Sequence, residues 1–85
     1  MEKITMERKL EIINSVTKKI LEINESTYHC ISFNYLPYIN CLDMFVRIHN
    51  LNGDKSSKSL QVYFRDGNNY EQEFADVMRN LEELK

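Results

Sequence analysis

Tryptophan is absent, proline occurs once and glycine only twice in this chain of 85 residues, and each scarcity narrows what it can be. So little proline and glycine argues against disorder, and no linker or low-complexity segment interrupts the chain. The glycines, Gly53 and Gly67, stand alone. No glycine-rich loop is available to cradle a phosphate. Two cysteines, Cys30 and Cys41, fall short of a disulfide framework, and neither a C-x-x-C nor an H-x-x-x-H spacing occurs. Free thiols in a reducing cytoplasm are the expectation. No apolar run approaches the roughly 18 residues of a membrane span. Glu2, Lys3, Glu7, Arg8 and Lys9 interrupt the first ten residues, so no secretory signal core is expected there.

Charge of one sign is scarce as well. Eleven Lys and Arg stand against thirteen Asp and Glu, a formal net charge of -2. A phosphate backbone is gripped through concentrated cations, so nucleic acid is not the expected partner. What the chain does have is 42% hydrophobic and 11% aromatic residues with 28% charged ones, a globular balance. At this length one domain over residues 1–85 is expected, with a thin core that removes about 60–65% of the unfolded surface from water.

Apolar residues Met6, Leu10, Ile13, Val16, Ile20, Leu21 and Ile23 recur at helical spacing over Thr5–Asn24. Thr5 suits the N-cap, and Glu7 in the first turn complements the helix dipole. The period then changes to two. His29, Ile31, Phe33 and Tyr35 alternate with Tyr28, Cys30, Ser32 and Asn34, which predicts a strand that Pro37 ends. From about Ile39 to His49 the set Leu42, Met44, Val46 and Ile48 alternates with Cys41, Asp43, Phe45, Arg47 and His49. Asn52, Gly53 and Asp54 mark a hairpin loop. Lys58–Arg65 reads as a third strand with Leu60, Val62 and Phe64 inside. Asp66, Gly67, Asn68 and Asn69 end it, and Asn68 with Glu71 or Asn69 with Gln72 resembles a capping box. Tyr70, Phe74, Val77, Met78, Leu81 and Leu84 then form a second helical stripe.

The expected fold is α+β: an α-β-β-β-α two-layer domain, a three-stranded antiparallel meander with both helices on one face. Double-stranded RNA-binding domains share that order, but their last helix begins with basic residues. Glu71 and Glu73 stand there instead.

Two helices on one side leave the other sheet face uncovered. Its expected residues include Tyr28, Phe45, Arg47, Tyr63 and Arg65, types enriched at protein interfaces. A hairpin centred near Asp54 would set Phe45 opposite Tyr63 and Asp43 opposite Arg65. Ordinary cross-strand packing is the plainer use of these side chains. The second candidate surface is the last helix. From residue 66 onward six acids, including Glu71, Asp76, Glu82 and Glu83, face only Arg79 and Lys85. Such a helix could imitate phosphate on a basic, nucleic-acid-binding protein, although a solvated face is the plainer reading. Glu82 and Glu83 oppose the helix dipole.

Chemistry is harder to find. Cys30, Cys41, Asp43 and His49 share strand parity without ligand spacing, so no metal site is expected. His29 and Cys30 are adjacent in a strand and point to opposite faces, which denies them a shared proton. No catalytic residues and no cofactor are expected. The functional expectation is a small non-enzymatic protein-interaction module in the cytoplasm, without membrane contact, of the kind phage and mobile elements use as inhibitors of larger host factors. The alternatives are a nucleic-acid-binding regulator that stacks bases on the aromatic face, and a self-associating module, for instance a homodimer.

Overall fold

The computed structural model describes residues 4–49, 53, 55–65 and 67–84. Helix α1 spans Met6–Ser26, strands β1 (Cys30–Leu36), β2 (Cys41–His49) and β3 (Lys55–Tyr63) follow, and helix α2 spans Tyr70–Glu82. The strands form one antiparallel sheet in the order β1-β2-β3. One core joins Val16 and Ile20 of α1, Val77 and Leu81 of α2, and Ile31, Met44, Val46 and Val62 of the sheet. Both helices therefore lie on one face, as the α-β-β-β-α pattern predicts. The hairpin residues Asn50, Leu51, Asn52 and Asp54, and the strand-ending Asp66, lie outside the described residues.

Thr5 caps α1 by accepting the Arg8 amide at 3.1 Å. The helix buries Ile12, Val16, Ile20 and Ile23 completely, whereas Met6, Leu10 and Leu21 stay 68%, 49% and 52% exposed. That corrects the expected stripe, which omitted Ile12. At ~100° per residue the four isoleucine and valine side chains fall within about an 80° arc, and Leu10 and Leu21 stand roughly 125–145° from its centre. In α2 the Asn69 side chain accepts from the Gln72 amide at 3.2 Å, so the second of the two candidate caps is the one used.

Four chain reversals separate the helices, so α1 and α2 run parallel. Two ion pairs join them: Arg8 with Glu71 at 2.6 Å and Lys19 with Glu82 at 2.6 Å. The same interval along both helices separates these pairs, about 16 Å at ~1.5 Å per residue.

The hairpin register differs from the expected one. β3 starts at Lys55 rather than Lys58, and Phe45 pairs with Ser59, Asp43 with Gln61 and Cys41 with Tyr63. Lys55, Ser56 and Ser57 offer no apolar alternation, yet they pair as the polar outer end of a hairpin. The displacement is even, so every side chain keeps its predicted face and only its neighbours change. β1 likewise runs one residue past Tyr35, and Tyr28 precedes it in the connection from α1.

Side chains reach round to the backbone at both sheet edges. Asn24 of α1 accepts the Ile31 amide at 2.9 Å and donates to its carbonyl at 3.0 Å. On the other edge Glu73 of α2 accepts the Tyr63 amide at 2.8 Å, and Asn68 donates to the Tyr63 carbonyl at 2.8 Å. Asn40, at φ 51°, closes the β1–β2 turn in the left-handed region that Asn tolerates. Its backbone carbonyl accepts the Phe64 amide at 2.8 Å, which fixes the end of the third strand against the turn.

Candidate functional site

Opposite the helices, the paired rows across β1, β2 and β3 are Leu36, Cys41 and Tyr63, then Asn34, Asp43 and Gln61, then Ser32, Phe45 and Ser59, then Cys30, Arg47 and Ser57. Beyond Arg47 the sheet is a two-stranded ribbon, with His49 opposite Lys55. Phe45 stands between two serines and is 40% exposed, although it lies on the central strand. Serine is too short to cover a phenyl ring from either side, which is why an aromatic at the middle of the sheet remains open.

Arginines lie against the aromatics of this face. The Arg47 guanidinium sits 5.8 Å from the Phe45 ring centroid, and the Arg65 guanidinium 4.8 Å from that of Tyr63. Both are cation–π distances. Arg65 therefore stacks on Tyr63 and does not meet Asp43, whose carboxylate accepts from the Gln61 side-chain Nε2 at 2.9 Å. Phe45 and Tyr63 are four positions apart along the strands rather than face to face. That is roughly 13 Å at ~3.3 Å per residue, with the Asp43–Gln61 pair between them.

The two aromatics also differ in freedom. Tyr63 is half-buried and covers Cys41, which has only 1% of its surface exposed despite facing away from the helices. Burial pushes the Cys41 thiol above its ordinary pKa, and the Asp43 and Glu73 carboxylates add to the rise, against a hydrogen bond with Tyr63. Phe45 has no such structural duty. Beside it a shallow groove of about 330 Å3 is lined by Phe45, Arg47, His49, Lys55, Ser56 and Ser57. Among the described residues two cations, an imidazole, two hydroxyls and an aromatic ring line it, and no carboxylate does. Lys55 escapes a sequence reading that starts the strand at Lys58, although its parity with Ser57, Ser59 and Tyr63 places it on this face.

The acidic helix offers less than its composition suggests. Glu71 takes Arg8 in a two-pronged contact, Nε at 2.7 Å and Nη2 at 2.6 Å. The hydrogen bond from Arg8 holds the Glu71 carboxyl below its usual range and raises the guanidinium in return. Glu82 takes Lys19, and Asp76 takes Arg79 at 2.7 Å and the Gln72 side-chain Nε2 at 3.1 Å. Glu83 is exposed at the helix C-cap. Tyr28 is 87% exposed beside the sheet rather than on it. Tyr38 is 81% exposed in the β1–β2 turn, and its position directly after Pro37 is the one signal of this in the sequence.

A larger recess of about 510 Å3 lies at the start of α1, between Thr5, Asn40, Phe64 and Arg65. Lys9 spans it, bonded to the Tyr35 hydroxyl and the Asn40 side chain. His29 accepts the His49 amide through Nδ1 at 3.0 Å, which makes it a rim contact between strand ends. Among the described residues no three His, Cys, Asp or Glu side chains converge to hold a metal ion, and no helix is long and apolar enough to cross a membrane. Both cysteines are free thiols. No family model, curated protein or solved structure matches the chain.

Proposed function

We propose that this protein is a non-enzymatic interaction module that acts in the cytoplasm by docking the uncovered sheet face, centred on Phe45, onto an acidic surface of a larger protein. The observation that carries this proposal is a phenylalanine 40% exposed on the central strand, with Arg47 against its ring and no helix over it. Desolvated aromatics flanked by arginine are the residue types that dominate interface energetics. Arg47, Lys55 and Arg65 supply the charge, while the single carboxylate in the paired rows, Asp43, is already bonded to Gln61. An acidic partner fits this face better than the basic, nucleic-acid-binding partner suggested by the helix, because Glu71 and Glu82 are committed to α1.

Inhibition of a host factor by a phage or mobile-element protein is the biological setting we favour, since a small domain that works by contact is sufficient for it. Affinity capture from a bacterial lysate tests the proposal. A specific protein retained by the parent should be lost from a Phe45→Ala, Arg47→Ala variant of unchanged fold. Equal retention by the variant, or no specific retention by the parent, would overturn it.

One observation favours a second reading. The groove beside Phe45 has the makings of a single-stranded nucleic-acid site, a ring for stacking with Arg47 and Lys55 for phosphate. Salt-sensitive retention on single-stranded oligonucleotides, abolished by Phe45→Ala, would replace the protein partner with this one. Absence of retention at low salt would reject it.

A further inference from the structure

We infer that the free edge of β1 pairs with the same edge of a second copy of this chain, about a two-fold axis at Asn34, to form a continuous six-stranded sheet. Ile31 gives both its amide and its carbonyl to Asn24, away from β2. In an antiparallel ladder outward-facing residues alternate, so Phe33 and Tyr35 also turn their amides and carbonyls away from β2. Tyr63 obeys the same rule on the opposite edge, where Glu73 and Asn68 take its outward groups. Among the described residues nothing takes those of Phe33 and Tyr35.

An unpaired edge is normally blunted by charge. β3 is blunted in this way, with Lys55 and Lys58 along it. β1, with sequence CISFNYL, carries no charged residue at all, and Phe33 and Tyr35 are each 39% exposed. A second β1 therefore meets the first without like charges in opposition, whereas two copies of β3 would set lysines side by side.

The register is self-complementary. With the axis at Asn34, Phe33 of each copy faces Tyr35 of the other, and the four outward groups of each copy are satisfied by exchange. Beyond them Ile31 faces Pro37 of the second copy. Neither needs a partner there, because Asn24 occupies Ile31 and proline has no amide to offer. The ladder thus ends where the sequence stops requiring it. Each Phe33 gains a cross-strand aromatic neighbour in Tyr35, and the two Asn34 side chains meet on the face that carries Phe45. The assembly places two Phe45 side chains on one surface, three strand spacings apart across the sheet, roughly 14 Å at ~4.8 Å each, and four residues apart along it, roughly 13 Å at ~3.3 Å each.

Asn34 and its symmetry mate form a non-hydrogen-bonded pair, for which Cα atoms approach to about 4.5 Å. That lies within the range a disulfide accepts. The experiment uses the full chain with Cys30→Ser and compares Asn34→Cys with Ser32→Cys, which lies on the same face two residues further from Pro37. Under mild oxidation Asn34→Cys should become a disulfide-linked dimer and Ser32→Cys should not. Sedimentation of the unmodified chain should show twice the monomer mass at high concentration. Phe33→Lys should return it to the monomer mass with unchanged circular dichroism. A monomer at every concentration, together with equal cross-linking at both positions, would overturn the inference. So would a dimer that Phe33→Lys leaves intact but Phe45→Ala dissolves, since that dimer would use the open face.

Discussion

Replacing Met44 by alanine and, separately, its neighbour Phe45 by alanine perturbs opposite faces of the same strand. Met44 has no exposed surface, and Leu60 and Phe33 are its cross-strand partners. Truncating such a side chain leaves a cavity that the packed layer cannot close, at about 2–5 kcal/mol. Phe45 is 40% exposed and paired with two serines, so its removal forfeits only cross-strand contact, roughly 0.2–1 kcal/mol. A domain of this size has about 5–15 kcal/mol in total. Urea unfolding followed by far-UV circular dichroism resolves the two cases. With a slope of about 1 kcal/mol per M, the midpoint should fall by about 2 M or more for Met44→Ala and by less than about 1 M for Phe45→Ala. Equal losses, or a larger loss for Phe45→Ala, would mean that the ring belongs to the core and not to a free face.

Three further outcomes follow from named contacts. An aromatic disulfide reagent should label one thiol per native chain, at Cys30, and reach buried Cys41 only in denaturant; equal rates would show that Tyr63 does not cover it. Arg8→Ala should cost under about 1 kcal/mol at neutral pH, because the pair is largely exposed. Since Glu71 titrates below its ordinary value, the contribution is present above the usual carboxylate range and lost as pH falls through the lowered pKa. The difference between variant and parent should therefore vanish in acid, and a difference that persists at strongly acidic pH would reject the ion pair as its cause. Glu73→Ala should destabilise by about 1–3 kcal/mol and speed hydrogen exchange at the Tyr63 amide, whereas unchanged exchange there would show that water replaces the carboxylate.

Element type and face were legible in the sequence because periods of 3.6 and 2 are written directly in the order of apolar side chains. Even the hairpin, whose pairing moved by four residues, kept Phe45 outside and Met44 inside, since parity survives an even displacement. The partners themselves were not legible. Lys55, Ser56 and Ser57 look like loop by composition, and only a neighbouring strand makes them strand. The buried stripe on α1 is narrower than its apolar spacing suggests, because Leu10 and Leu21 match the spacing but miss the arc that Ile12 completes. Charge was misleading for a related reason. Six acids in the last segment suggested a free acidic surface, and nothing local in the sequence says that Arg8 and Lys19 stand opposite Glu71 and Glu82. That follows from the parallel course of the two helices.

The most direct measurement of the central claim compares two surfaces in one capture experiment. Parent, a Phe45→Ala, Arg47→Ala variant and a Glu82→Gln, Glu83→Gln variant are each immobilised, and the bound proteins are quantified after matched folding by circular dichroism. Loss of the retained partner from the sheet-face variant, with retention by the helix variant, is the predicted result. Retention by the sheet-face variant with loss from the helix variant would contradict it and move the contact surface to α2.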